Sequence, residues 1–270
     1  MAKLSIVLDA CVLFPMYLRD TLLSTAEEGL YLPYWSQKIL NEAMSNLVSG
    51  GILSQEKARN LEEIIKEAFP EAMVTVPVGL DDLMTNHPKD RHVLAAAVIA
   101  KADVIITNNM ADFKEKDLAP WNIKAQSPDE FLSELFDEYP DLIVKLLQQQ
   151  SAKYKKPPKT VAELLDFFGK KAHMPKFASN VLLYEYSLEI WQTAKTALRK
   201  CGRQVSEGGQ FLEGERYRLW QQGQTLTIAA KDGRGEILRV HNQEIQGNIS
   251  SEDVKAFQII AQDLCQIFAQ

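Results

Sequence analysis

The chain has 270 residues, is 46% hydrophobic and 24% charged, and carries a formal net charge of −6. That is an ordinary globular composition, long enough for one sizeable domain plus a smaller one. No apolar run approaches the roughly 18–20 residues that cross a bilayer, MAKLSIVLDA lacks the apolar region of a signal peptide, and Cys11, Cys201 and Cys265 lack metal-like spacing. A reduced, cytoplasmic protein with no membrane span is therefore expected.

Leu4–Leu8 is a short apolar run ending in Asp9, the pattern of a buried parallel strand. A helix is expected around Tyr17–Glu28 and a strand over Leu30–Trp35. Ser36 can cap a helix through Leu47 that Gly50-Gly51 closes. Ser54 caps the next, over Ser54–Phe69, with Lys57 and Arg59 outward and Leu61, Ile64, Ile65 and Ala68 inward. Met73–Val78 reads as a third strand. His92–Ala102 is apolar nearly all round, hence a buried helix, and strands follow at Val104–Thr107 and Ile123–Gln126. Ser127-Pro128-Asp129-Glu130 opens a helix with Pro at its first position and acids in its first turn. Strands alternating with helices imply crossover connections and a parallel α/β sheet over residues 1–140.

Residues 141–176 read as a helical extension broken at Lys153–Lys159. Residues 177–270 differ in kind. A helix with Val181, Leu182, Tyr184, Leu188, Trp191 and Leu198 apolar precedes short strands at Tyr217–Trp220, Leu226–Ala229 and Glu236–Val240, divided by Gln222-Gly223 and Asp232-Gly233 turns. A last helix begins after Ser250 or Ser251 and runs to Phe268. The expected organisation is an α/β domain over 1–140, the extension, and a small α+β module over 177–270 whose role the sequence does not reveal.

Charge follows this division. Residues 1–150 hold 13 Lys and Arg against 23 Asp and Glu, whereas 151–176 hold 7 Lys against 2 acids. An acidic protein can still act on nucleic acid if some carboxylates ligate cations that reverse the local field. Asp9 falls just past the carboxyl end of the first strand, where sites form in parallel sheets. Glu42 lies on the flank of a helix whose apolar face is Ile39, Leu40, Ala43, Met44 and Leu47. Asp90 opens the buried helix, and Asn109 and Asp112 follow the VIIT strand that ends at Thr107. Each has a plainer reading: Asp90 as a helix cap, Glu42 as a partner of Lys38, Asp112 as a turn residue, Thr107 as a β-branched strand residue. Asp9 is the hardest to explain that way, because burying a carboxylate without a partner is costly. Gathered at one sheet edge, such oxygens suit Mg²⁺ or Mn²⁺, which activates a water for attack on a phosphodiester.

Four segments carry a family resemblance: DACVLF (Asp9–Phe14), ILNEAMSNL (Ile39–Leu47), DRHVLAAAVIA (Asp90–Ala100) and TNNMADF (Thr107–Phe113). Together they resemble the ordered motifs of the PIN domain, in the branch of VapC-type toxins of bacterial toxin–antitoxin pairs. SPDEFLSEL and KKPPKTVAELL resemble the C-terminal helices of one PIN subfamily, so the likeness covers about residues 4–170. It implies a Rossmann-like PIN fold, RNA as substrate, and metal-dependent hydrolysis, with Asp9, Glu42 and Asp90 as metal ligands. Asp112 is the favoured fourth group, ligand or water-orienting, with Asn109 beside it. Asn in place of Asp at 109 removes a charge and leaves open a second metal ion. An antitoxin partner and a homodimer are family expectations.

Other chemistries fit less well. Asp9-Ala10-Cys11 resembles the nucleophile segment of haloacid-dehalogenase-type phosphatases, but Cys11 stands where a second acid is needed. No G-x-G-x-x-G follows the first strand, which argues against dinucleotide binding. Cys11 itself reads as a small buried residue. The lysines of 153–176 could guide an RNA backbone or merely be solvated, and tail arginines at 216, 218, 234 and 239 with Tyr217 and Trp220 could stack bases or pack. The alternative to an enzyme is a PIN-fold module with a weakened centre that binds RNA or protein.

Overall fold

Five parallel strands organise the first of the two units into which the chain divides, Met1–Lys153 and Tyr154–Gln270. The computed structural model describes residues 3–155, 159–205, 208–242 and 244–260. In chain order the first unit contains β1 (Ser5–Leu8), α1 (Ala10–Leu13), α2 (Met16–Glu27), β2 (Leu32–Ser36), α3 (Gln37–Ser49), α4 (Gln55–Ala68), β3 (Met73–Val74), α5 (Arg91–Ala100), β4 (Val104–Ile106), α6 (Glu115–Leu118), β5 (Lys124–Gln126), α7 (Pro128–Glu138) and α8 (Pro140–Lys153). The sheet order is β3-β2-β1-β4-β5, with Val7 opposite Tyr34 on one side and Ile105 on the other. This is the expected α/β fold.

The order explains the position of the site. The chain builds outward from β1 to β3, then returns to the other side of β1 as β4 and β5. A reversal of this kind leaves a crevice outside the carboxyl ends of the two strands that flank it. Those strands are β1, followed by Asp9, and β4, followed by Thr107. Their backbones are fixed by burial: Ile6, Val7, Leu8, Ile105 and Ile106 are fully covered, each large side chain contributing about 1.5–3 kcal/mol. Val93–Ala97 of α5 are equally buried, and the run of alanines lets this helix lie close on β1, β2 and β4.

Local signals account for most boundaries. The Ser36 hydroxyl accepts from Ile39 N at 3.4 Å and that of Ser54 from Lys57 N at 3.3 Å, while Ser127 and Glu130 form a complete capping box. Two expectations need correction. The strand expected over Met73–Val78 pairs only at Met73–Val74; Pro77 brings no backbone N–H to a ladder, and Val78 is wholly exposed. Ile64 and Ala68, expected inward, are exposed, Ile64 by 61%, because α4 packs on α3 through a narrow stripe centred on Ala58 and Ile65.

The second unit contains α9 (Val161–Lys170), α10 (Pro175–Cys201), β6 (Arg203–Val205), β7 (Gly209–Glu213), β8 (Tyr217–Gln222), β9 (Thr225–Ala230), β10 (Gly235–His241), β11 (Glu244–Gly247) and α11 (Ser251–Ile260). Its strands form an antiparallel meander in chain order. Three of the six, β6, β7 and β11, were not expected. Arg203–Val205 is exposed along its length, and β7 and β11 carry a glycine at one end, so neither shows alternation. The expected turns are present, with Gly223 and Gly233 at φ +57° and +97°. Leu212, Leu219, Ile228 and Leu238 stand opposite one another across four strands and are at most 4% exposed. Tyr184 and Leu188, read as apolar positions of this helix, are 48% and 53% exposed. The buried face of α10 turns along its length, from Phe177, Ala178, Val181 and Leu182 to Ile190, Ala194, Ala197 and Leu198, and these two residues fall between. Part of the expected break at Lys153–Lys159, and the last helix beyond residue 260, lie outside the described residues. No helix among the described residues is long and apolar enough to cross a membrane.

One buried ion pair anchors this unit. The Asp253 side chain is fully covered and accepts from both Arg234 guanidinium nitrogens at 2.8 and 2.9 Å, from the Tyr217 hydroxyl at 2.7 Å, and from Ser250 N at 2.7 Å. Burial alone would raise its carboxyl, but Arg234, Ser250 and Tyr217 outweigh burial and hold it below the usual range. A depressed carboxyl stabilises the fold above its unfolded pKa, and that contribution is lost as pH falls through the folded value. Asp253→Ala should therefore cost roughly 3 kcal/mol in urea unfolding at pH 7. The gap between variant and wild type should close as pH falls below about 4; a gap independent of pH would contradict the assignment.

Candidate active site

Asp9 and Thr107 meet across the reversal of the sheet. The Asp9 backbone N–H donates to Ile106 O at 3.1 Å, which extends the β1–β4 pairing by one residue and fixes where the side chain starts. Its Oδ2 accepts from Thr107 Oγ1 at 2.6 Å and from Cys11 Sγ at 3.1 Å. Thr107 Oγ1 in turn accepts from Asn109 N at 2.9 Å, so one hydroxyl ties the carboxylate to the loop behind β4. Asp9 is 2% exposed and Thr107 fully buried. Burial and the neighbouring Asp9 push the Cys11 thiol up to about 12. It therefore remains a protonated donor, not a nucleophile.

Glu42 projects from α3 with its side chain 46% exposed. Its plainer reading does not hold, since Lys38 instead pairs with Asp81 at 2.7 Å. What Glu42 meets is His92, whose Nε2 lies 3.1 Å from Glu42 Oε2. His92 is 4% exposed, and its Nδ1 lies 3.0 Å from the Lys89 carbonyl, which can only accept. Nδ1 therefore carries the proton and the ring is locked with Nε2 toward Glu42. That nitrogen is buried without a hydrogen-bond partner, so the meeting is a close polar contact rather than a hydrogen bond.

Asp90 precedes α5 at the cap position yet makes no capping bond. With φ −108° and ψ 6°, its backbone is not in the extended form that aims a cap at the first turn. Its Oδ2 instead lies 3.2 Å from His87 Nδ1. Asp112 sits in the 3-10 turn Met110–Asp112, and its carbonyl accepts from His87 N at 3.4 Å, which draws this turn to the loop before α5. One ligand atom each from His87, Asp90 and Asp112 fall within 4.8 Å of one another. Asn109 stands at the start of the same turn, exposed, with its backbone spent on Thr107.

Asp9 and Glu42 lie outside that tightest grouping but share its field. Partial burial raises the Glu42 carboxyl against the pull of His92, and Asp9 and Asp90 raise it further. Burial and then Asp9 raise Asp90, with Asp112 adding to them and His87 opposing. Elements separated by some 100 residues of chain thus deliver four carboxylates to one crevice. Sequence reasoning missed His87 and His92, both next to the singled-out Asp90. The signal was present: His92 sat in a helix read as buried, where an imidazole needs a partner.

A raised carboxyl means that its charged form costs stability; the cost grows as pH rises through the unfolded pKa, is complete above the folded one, and vanishes below the unfolded value. Asp90→Asn removes one charge with little change of shape. In metal-free protein at pH 7 it should gain about 1 kcal/mol, an increase of roughly 2–4 °C in the unfolding midpoint. The gain should disappear in acid, where wild-type Asp90 is neutral as well. A midpoint that falls at pH 7 would show that these charges do not strain the fold.

Comparison with known proteins agrees with this geometry. Residues 5–111 match the family model of the PIN domain, and residues 128–182 match that of the VapC50 C-terminal domain. A protein of Mycobacterium tuberculosis (strain ATCC 25618 / H37Rv) named "Putative ribonuclease VapC50" is 42% identical over 104 residues, a stretch that spans 37% of this chain and 60% of that relative. The five-stranded sheet reversing at β1 and β4 spans the stretch that is similar to the PIN domain, and its strand order is that of a PIN fold.

Proposed function

We propose that the chain is a metal-dependent endoribonuclease, the toxin of a type II toxin–antitoxin system. The observation that carries this reading is the convergence of Asp9, Glu42, Asp90 and Asp112 at the sheet reversal, with the Glu42 and Asp90 carboxyls raised by burial first and by neighbouring carboxylates second. Oxygen donors held against their own repulsion fit a hard divalent cation, and the same four residues would hold Mg²⁺ or Mn²⁺. The cation supplies charge neutralisation and an acidified water for hydrolysis of an RNA phosphodiester.

The protein's own part is positioning. Thr107 and Cys11 both donate to Asp9 Oδ2, which fixes the orientation of the carboxylate. His92 walls the inner side of Glu42, and His87 restrains Asp90. Asn109 is a neutral neighbour on the rim, suited to a substrate oxygen rather than to a cation. The relative named a ribonuclease and the match to the VapC50 C-terminal domain support the toxin reading. A cognate antitoxin, a homodimer and a cytoplasmic setting come with it. The organisation as 1–140, 141–176 and 177–270 belongs to the same proposal.

The test is cleavage of single-stranded RNA by antitoxin-free protein. Wild type should cut with Mg²⁺ or Mn²⁺ and stop on chelation. Asp9→Asn and Asp90→Asn should lower the rate by at least about a hundredfold with unchanged circular dichroism. Wild-type protein that binds RNA but cuts none would favour a binding module instead.

A further inference from the structure

Beside the acidic crevice lies a second cavity of a different sign. It has a volume of about 260 Å³, and its wall includes Asn86, His87, Arg91, Asp112, Lys114 and Lys116. His87 and Asp112 also belong to the acidic grouping, so the two sites share a wall. Three cations border the cavity. Arg91 opens α5 and its Nε donates to Asn86 O at 3.4 Å, which steadies the guanidinium against the loop. Lys114 and Lys116 are exposed, on either side of the start of α6. The remaining acid, Asp117, is 7% exposed and already accepts from Thr85 Oγ1 at 2.7 Å.

Asn86 provides an independent observation. It is 2% exposed, and both its amide nitrogen and its amide oxygen are buried without a hydrogen-bond partner. Buried polar atoms are paired in more than about nine cases in ten, and each exception calls for a reason. An amide whose donor and acceptor are both unspent, set in the wall of a cationic cavity, is suited to a ligand rather than to the fold.

We propose that this cavity is a phosphate subsite, which takes a phosphodiester of single-stranded RNA next to the bond held at the acidic crevice. The proposal rests on the nuclease reading for its substrate but not for its geometry. A polyanion approaching four carboxylates is repelled unless cations lie along its path, and a basic pocket one wall away supplies them. Arginine and lysine contacts to phosphate position the strand and carry no base information. The subsite therefore fixes register along the RNA, not sequence.

The experiment measures binding, so that it is separate from cleavage. A fluorescein-labelled single-stranded RNA is titrated by polarisation against the full chain carrying Asp9→Asn, in chelator, over a range of salt. Adding Lys114→Ala with Lys116→Ala should weaken binding at least tenfold and make the slope of log affinity on log salt shallower by about 1.4 for two phosphate contacts. Lys116→Arg should restore most of the loss for the single Lys116→Glu change, and Lys57→Ala on α4 should alter nothing. Thermal midpoints confirm that each variant is folded. An unchanged affinity and slope in the double variant overturn the subsite, as does a parent that binds no RNA at all. Wild-type protein that fails to cut RNA that it binds through Lys114 and Lys116 would overturn the nuclease reading and leave the subsite standing.

Discussion

Mutual repulsion among Asp9, Glu42, Asp90 and Asp112 is the constraint that the rest of the N-terminal unit has to withstand. A flexible chain would relieve it by splaying the side chains apart. Here the strands that carry Asp9 and Thr107 are neighbours in a sheet with no solvent on their apolar positions, and the helix that follows Asp90 is an alanine-rich cylinder pressed onto the same sheet. Movement of either anchor would open packing worth several kcal/mol. Burial, with neighbouring carboxylates adding to it, raises the Glu42 and Asp90 carboxyls, and packing holds them in place. A site strained in this way is expected to cost stability when empty and to recover it when a cation binds.

Around the acids is a ring of groups that spend their hydrogen bonds on orientation. Thr107 links Asp9 to the loop of Asn109, Lys89 locks the His92 ring, and the Asp112 backbone holds His87. None of these is a charge placed for its own sake. Each removes a rotamer that would let an acid turn away, which is how outer groups tune ligands at metal sites.

The acids themselves were readable from the sequence because their surroundings were. An Asp that ends a fully apolar strand has few structural uses, and an Asp and an Asn after a second such strand repeat the signal. The histidines were not, since an imidazole at 87 or 92 is ambiguous until its neighbours are known, and Glu42, the neighbour of His92, is 50 positions away. Helices in the first unit announced themselves through Ser36, Ser54 and Ser127, whose caps are local chemistry. The second unit hid half its sheet: β6 is exposed throughout and β11 nearly so, so no alternation of burial marks them. Packing also decided the outward and inward aromatics there. Tyr217 is 2% exposed and lies 4.9 Å from the Phe257 ring, whereas its strand neighbour Trp220 stands on the opposite face beside Phe211.

Charge on that outer sheet face is offset. Arg218 pairs with Glu213 at 2.9 Å, and Arg239 lies 4.0 Å from Glu236. Arg234 is committed to Asp253 and Asp232. The arginines that the sequence set near aromatics are thus mostly neutralised, and a polyanion would find little net attraction there. Lys114 and Lys116 differ: they are exposed beside a cavity whose acids are Asp112, shared with the acidic crevice, and Asp117, which is buried and bonded to Thr85. In a chain with a formal charge of −6, attraction for a polyanion has to be local. A local field acts at the right place only when it adjoins the chemistry, and the wall formed by His87 and Asp112 is where basic cavity and acidic crevice adjoin.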